Sequence, residues 1–163
     1  MSIEKILSIV AVLFFFSYFI LFLILHFKKT GYHPIRHAVS DYGVGATKNL
    51  FLIYAWFSNL GALSLSIVLL SVKDRFSISA SIPILIILMV IDRGGSQLKL
   101  LEGFKDLNLF FYIITMISSI SLGAVIVTMF KPLRFIFGIC ERVFLLSINI
   151  WFIVVSIWLV YLL

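Results

Sequence analysis

Apolar residues run along this chain in long stretches without charged side chains, and short polar segments connect these stretches. A helix needs about 20 such residues to cross the hydrocarbon core of a bilayer, which is about 30 Å thick. Five stretches reach or approach that length: residues 6–27, 49–72, 76–91, 107–130 and 143–163. The pattern therefore predicts an all-α fold, a single domain over residues 1–163 in which five transmembrane helices form a polytopic bundle.

The third stretch is shorter than the others. Its sixteen residues span about 24 Å at the helical rise of about 1.5 Å per residue, and Pro83 removes one backbone hydrogen bond from the helix. We expect this segment to be kinked, to be re-entrant, or to be lengthened by Asp92 and Arg93, whose side chains can snorkel to the membrane surface.

Small and polar residues within the apolar stretches predict where the helices meet, because membrane helices associate through close packing and hydrogen bonds. Asn59 and Asn149 are the strongest polar groups there, and we expect each to hydrogen-bond to another helix. Two stripes of small residues at four-residue spacing should lie inside the bundle: Ser58, Ala62 and Ser66 on the second stretch, and Thr115, Ser119 and Gly123 on the fourth.

Composition agrees with a membrane environment. Hydrophobic residues make up 63% of the chain and charged residues only 12%, against about 25% charged residues in soluble domains. A water-soluble globule is excluded, since 163 residues cannot enclose so much apolar surface. The net charge of +6 falls at the ends of the apolar stretches. We interpret it as anchoring to anionic membrane lipids in the cell membrane rather than as nucleic-acid binding.

The basic residues that flank the spans do not set a membrane orientation. If all five spans cross, Glu141 and Arg142 open the last span on the side opposite the first loop, whereas Asp92 and Arg93 lie on the loop's side. Six basic residues then share one side: Lys5, Lys73, Arg75, Lys131, Arg134 and Arg142. Seven share the other: Lys28, Lys29, Arg36, Lys48, Arg93, Lys99 and Lys105.

No Asp, Glu, Lys, Arg or His lies near the middle of any span, which disfavours an ion-coupled transporter. The single cysteine, Cys140, cannot form an intrachain disulfide, and no Cys/His spacing matches a zinc site. The three histidines, His26, His33 and His37, all lie at or just beyond the end of the first span, so two different helices cannot supply a haem ligand pair. We predict no cofactor.

The first loop, residues 28–48, concentrates the chain's polar chemistry. Pro34 suits the start of a short helix, and Gly43 and Gly45 suit its end, so we predict about two helical turns over residues 34–42. His33, His37 and Asp41 would then align on one face.

That alignment allows three uses: His37 and Asp41 as a catalytic base and its orienting group, the same trio as metal ligands, or Arg36 with the histidines as an anion clamp. Asp41 can also simply cap a turn or pair with Arg36. Among the functional uses we favour the anion clamp, and we predict no bound metal. The candidate ligand-binding residues are His33, Arg36, Ser40, Tyr42, Asp92 and Arg142.

The segment 33–43 resembles the signature of a bacterial and archaeal membrane family catalogued as domain of unknown function 998. In that family the loop after the first helix reads approximately R-H-x-[IV]-S-D-[YL]-G, which residues 36–43 match. Asp92 at the close of the third span, and Arg142 with Trp151 in the last span, are weaker similarities. The resemblance implies a multi-span helical fold and directs attention to residues 36–43. It names no reaction, because the family has no assigned activity.

The chain also departs from that family. A Gly-x-x-His follows the third span in the family, whereas residues 103–106 place Asp106 where the histidine would stand. Family members often have a sixth span before the final arginine, so this bundle would be a reduced version.

The sequence thus supports three hypotheses. The first is a polar cap, formed by the first loop and residues 92–106, that binds an anionic lipid head group or a similar amphiphile. The second is a membrane-embedded hydrolase or transferase that uses His37 and Asp41. The third is an accessory membrane subunit, which would associate with another membrane protein or with itself.

Overall fold

A computed structural model describes residues 1–28, 31–33, 35–75, 108–129 and 135–163. Within them the chain forms the helices α1 (Ile3–Phe27), α2 (Lys48–Val72), α3 (Asn108–Thr128) and α4 (Phe137–Leu162). Two short 3-10 helices, Val39–Gly43 and Gly45–Thr47, lie between α1 and α2. The third predicted span, which contains Pro83, lies outside the described residues. Asp92 and residues 103–106 lie outside them as well.

Three of the described helical segments are long and apolar enough to cross a membrane: Ile3–Phe27, Gly45–Val72 and Phe137–Leu162. In α3 the apolar stretch Met116–Thr128 is shorter. The described residues contain no strand, so the prediction of a helical bundle is confirmed. The described helices do not show the five predicted spans.

Local sequence explains where α1 begins. The Ser2 side chain accepts a hydrogen bond from the Lys5 N–H, 3.2 Å away, which satisfies one of the free amides of the first turn. Glu4 also lies in that turn, where a negative charge is favourable. At the other end the backbone becomes extended at Lys28, and the first loop begins.

Helix α1 lies between α2 and α4, and α3 packs against α4. One apolar core, centred on Phe15, Leu69 and Val155, joins α1, α2 and α4 and includes Ile114 of α3. The Phe15 and Phe152 rings stack there with centroids 5.0 Å apart. Gly61 makes room for Phe15, since a Cβ at that position would lie 3.0 Å from its ring.

A second core lies under the first loop. It joins Tyr18 and Phe22 of α1 and Tyr54 of α2 to Val39 and Tyr42 of the loop. The Tyr54 hydroxyl donates to the Tyr18 hydroxyl over 2.7 Å, and the two rings stack with centroids 4.4 Å apart. The loop is therefore part of the bundle's interior, because it buries two of its own side chains there.

The described helices alternate in direction. The end of α1, the start of α2 and the start of α4 meet at the first loop, which we call the loop end of the bundle. Met129, just after α3, contributes to a cleft with Arg36 at that end, whereas Ile114, near the start of α3, joins the core at the opposite end. Val72 and Asn108 therefore lie at the same end of the bundle.

This arrangement overturns the predicted sidedness. Glu141 and Arg142 were expected opposite the first loop, but they lie beside it. The expectation placed the start of α4 opposite the first loop, whereas the described helices α3 and α4 meet at the loop end of the bundle. Arg142 therefore belongs with the basic residues of the loop end.

The stripe of small residues on α2 is confirmed, whereas the one on α3 is wrong. Ala62 and Ser66 are buried and Ser58 is half-buried, but Ser119 and Gly123 are exposed. The buried positions of α3 include Ile114, Ser118, Ser121 and Thr128. Successive helical residues point about 100° apart, so the face that buries Ser118 lies beside the predicted stripe through Ser119. The Thr115 side chain lies outside the description.

The two asparagines differ in their surroundings. Asn59 is half-buried. Asn149 is only 2% exposed, and neither polar atom of its side chain has a hydrogen-bond partner among the described residues. The predicted interhelical hydrogen bond of Asn149 is therefore not formed in the described part of the chain.

Candidate functional site

The first loop folds into separate short turns rather than one helix. The His33 carbonyl accepts from the Arg36 and His37 amides over 3.1 and 3.0 Å, and the His37 Nδ1 accepts from the His33 N–H over 2.8 Å. Ala38 is then extended, and the 3-10 helix Val39–Gly43 follows. The predicted helix over residues 34–42 is therefore wrong.

Asp41 explains this break. Its Oδ2 accepts from the Ala38 N–H over 2.9 Å, which is half of a capping box and marks a new helical start. Gly45, with a φ of +70°, then turns the chain through the left-handed region that favours glycine. As a result His33, His37 and Asp41 do not share one helical face.

Arg142 fixes this loop from α4. Its Nη1 donates to the Gly138 carbonyl over 2.8 Å and to the His37 carbonyl over 3.0 Å. Its Nη2 donates to the Tyr42 hydroxyl over 3.1 Å. The guanidinium carbon lies 5.7 Å from the centre of the Tyr42 ring, within the range of a cation–π contact. Arg142 is only 6% exposed, so its guanidinium binds groups of the protein itself rather than a ligand in solution.

Glu141 and Thr47 hold the same loop at two further points. The Glu141 Oε2 accepts from the Val39 N–H over 2.6 Å, and the Thr47 hydroxyl donates to the Tyr42 carbonyl over 2.7 Å. Neither contact was predicted from the sequence. The signal in the sequence was the adjacent charged pair Glu141 and Arg142 at the start of an apolar helix. Charged groups in a membrane protein need nearby polar partners, and the loop supplies them.

Aromatic rings fill the space around the loop. The Tyr32 ring packs edge-to-face with both His37 and Tyr42, with centroids 5.5 and 5.8 Å apart. Tyr42 is itself only 2% exposed. His26 lies in the last turn of α1, against Phe22, and does not line the cleft described next.

A cleft of about 600 Å³ opens at the loop end of the bundle. A volume of about 300–1,000 Å³ is typical of sites for small ligands. Its polar wall comes from the first loop, and its apolar wall comes from the segments that end α3 and begin α4. The described lining residues are Arg36, His37, Ala38, Asp41, Met129, Phe135 and Phe137.

The structure brings together some of the predicted site residues and separates others. Arg36, His37 and Asp41 line the cleft. Ser40 and His33 are exposed and are not among its described lining residues. Tyr42 and Arg142 are buried behind the loop, which they support. Asp92 lies outside the described residues.

Within the described chain, His37 and Asp41 bond inside their own turns and not to each other. The hypothesis of a hydrolase or transferase that uses this pair stays a prediction. No group of three or more His, Cys, Asp or Glu side chains in the described ranges is arranged to hold a metal ion.

We compared the chain with protein-family models, with curated proteins and with solved structures. None of the three comparisons finds a match.

Proposed function

We propose that this protein binds the anionic head group of a lipid, or of a similar amphiphile, in the cleft at the loop end of the bundle. The observation that carries the proposal is the composition of the cleft. A cationic side chain, Arg36, lines the same space as three large apolar side chains, Met129, Phe135 and Phe137. A ligand with a charged head and an apolar tail matches both walls.

The position of each wall supports this assignment. Met129 and Phe135 are 69% and 58% exposed, and they lie just after α3 and just before α4, in the same cleft as residues of the polar first loop. Arg36 is exposed as well, so its guanidinium is accessible to a ligand and can bind two oxygens of a phosphate at once. Such a site suits a lipid that enters from the membrane surface.

We further propose a multi-pass protein of the cell membrane. Besides the three candidate spans, α3 has 21 residues, a length of about 30 Å that matches a hydrocarbon core. Four crossings by α1–α4 would agree with their alternating directions. If residues 76–91 formed a fifth span, a further crossing would have to follow before α3, because α2 ends and α3 begins at the same end of the bundle.

The test compares two variants, each of which lacks one positive charge at the loop end of the bundle. Arg36→Gln removes the arginine among the described lining residues of the cleft, and Lys48→Gln removes an exposed cation that is not among them. We expect Arg36→Gln to lower the phospholipid that co-purifies with the protein about tenfold, the loss that corresponds to one charge-assisted contact. Lys48→Gln should leave it unchanged.

Native mass spectrometry of the purified protein measures bound lipid directly. Equal lipid content in Arg36→Gln and the wild-type protein would refute the proposed function.

A further inference from the structure

The cleft carries charges of both signs. Arg36 and Asp41 line it together, yet within the part of the chain that the structure describes they form no ion pair with each other. A ligand that carries one negative and one positive group can therefore pair with Arg36 and Asp41 at the same time.

Asp41 is held in place by the loop itself. Its Oδ2 accepts from the Ala38 N–H, and its Oδ1 makes no hydrogen bond to any described residue. One carboxylate oxygen is thus used to position the side chain, and the other remains available as an acceptor. A purely anionic head group would gain nothing from a carboxylate in this position, because like charges repel.

We infer that the cleft selects a phosphate head group that also carries a primary ammonium, as in phosphatidylethanolamine. The inference rests on the proposed function: the anionic group that Arg36 binds is the phosphate of the head group, and the inference adds a positive group that pairs with Asp41. The phosphate would bind Arg36, the ammonium would donate to Asp41, and the acyl chains would contact Met129, Phe135 and Phe137. A quaternary ammonium such as choline has no N–H to donate, so it would fit the carboxylate less well.

The experiment uses the full chain, stripped of lipid in detergent and then mixed with equal amounts of dioleoyl phosphatidylethanolamine, phosphatidylglycerol and phosphatidylcholine. Bound lipids are identified by native mass spectrometry. We expect the wild-type protein to retain about tenfold more phosphatidylethanolamine than either competitor, since one charge-assisted hydrogen bond distinguishes them.

Two variants separate the charges. Asp41→Asn keeps an oxygen that can accept from Ala38, so the turn is preserved, while the negative charge is lost. It should abolish the preference by lowering phosphatidylethanolamine binding and leaving phosphatidylglycerol binding equal or higher. Asp74→Asn, at the opposite end of the bundle, is the matched control and should change nothing.

The possible failures are distinct. If the wild-type protein retains phosphatidylglycerol as well as phosphatidylethanolamine, the selectivity is wrong, whatever the variants do. If Asp41→Asn lowers both lipids equally, the ammonium contact is wrong. In both cases loss of both lipids in Arg36→Gln would still support head-group binding, whereas their retention would end the proposed function itself.

A last arm distinguishes a lipid from a soluble ligand. Water-soluble phosphoethanolamine carries the same two charges but cannot use the apolar wall. We expect it to displace the lipid only at a large molar excess. Displacement at equal concentration would show that the ligand is a soluble phosphoamine and would overturn the lipid assignment.

Discussion

The Arg142 guanidinium donates a hydrogen bond to the backbone carbonyl of His37, 3.0 Å away, across 105 positions of sequence. The same side chain bonds Tyr42 and the carbonyl of Gly138 in its own helix. Arg142 therefore connects α4 to two points of the loop, His37 next to Arg36 and Tyr42 next to Asp41. Because His37 lines the cleft, this contact ties one of the lining residues to α4.

Replacement of Arg142 by Lys should destabilise the protein. A single ammonium group cannot reproduce the planar fork that reaches the His37 carbonyl and the Tyr42 hydroxyl together. We expect a loss of about 2–3 kcal/mol from the free energy of unfolding, because hydrogen bonds to a charged donor are lost and buried acceptors remain. Denaturation of the purified protein, followed by circular dichroism, measures this loss.

Lys48→Gln is the control for Arg142→Lys, since Lys48 is exposed at the same end. Its stability should stay within about 0.5 kcal/mol of the wild-type value, as is usual for surface changes. An equal loss in both variants would contradict the role of the Arg142 fork.

Glu141 can be tested by separating its charge from its acceptor oxygen. Glu141→Gln keeps an oxygen for the Val39 N–H, whereas Glu141→Ala leaves that amide without its side-chain acceptor. We expect Ala to cost about 1–3 kcal/mol, in line with an unsatisfied amide, and Gln to cost less. Hydrogen exchange at the Val39 amide should accelerate in the Ala variant only. Similar exchange rates in both variants would argue against the contact.

Two helical glycines should respond oppositely to Ala. At Gly61 a new Cβ would lie 3.0 Å from the Phe15 ring, whereas at Gly123 no atom lies within 4 Å of it. Gly61→Ala should therefore destabilise the bundle by about 1–3 kcal/mol through overpacking. Gly123→Ala should stabilise it by up to about 1 kcal/mol through helix propensity. Thermal unfolding in one detergent compares them, and the same sign for both would refute the packing at Gly61.

Asn149→Leu should raise stability. The Asn149 side chain is buried, and no described residue satisfies its amide, so an apolar side chain of similar volume removes a desolvation cost of about 1–3 kcal/mol. Asn59→Leu, at a half-buried position, should change stability less. Chemical denaturation of both variants provides the measurement. A large loss of stability in Asn149→Leu would show that Asn149 has a polar partner after all.

The sequence was sufficient to predict the class of the fold. The approximate positions of α1, α2 and α4 follow from apolar length, because a helix satisfies its own backbone hydrogen bonds in lipid. Predicted and observed ends agree within a few residues for residues 6–27 and 49–72. The buried face of α2 at Ala62 and Ser66 was also predictable, since small residues mark close helix contacts.

The site was predictable only in part. Arg36, His37 and Asp41 stood out as polar residues in one loop, and they do line one cleft. Their conformation was not predictable, because the Asp41 cap that breaks the helix competes locally with helical hydrogen bonds. Met129 and Phe135 carried no sequence signal, since apolar residues at a helix end are common in this chain.

Sequence by itself therefore determined that apolar helices form and that one loop holds the polar chemistry, because both depend on local hydropathy and residue type. Only the tertiary structure decided that α4 begins beside that loop, that Arg142 and Glu141 hold it, and that an apolar wall faces Arg36. These features depend on which end of the bundle the chain has reached when α4 begins. Helix direction is a property of the whole assembly, and no local pattern of residues encodes it.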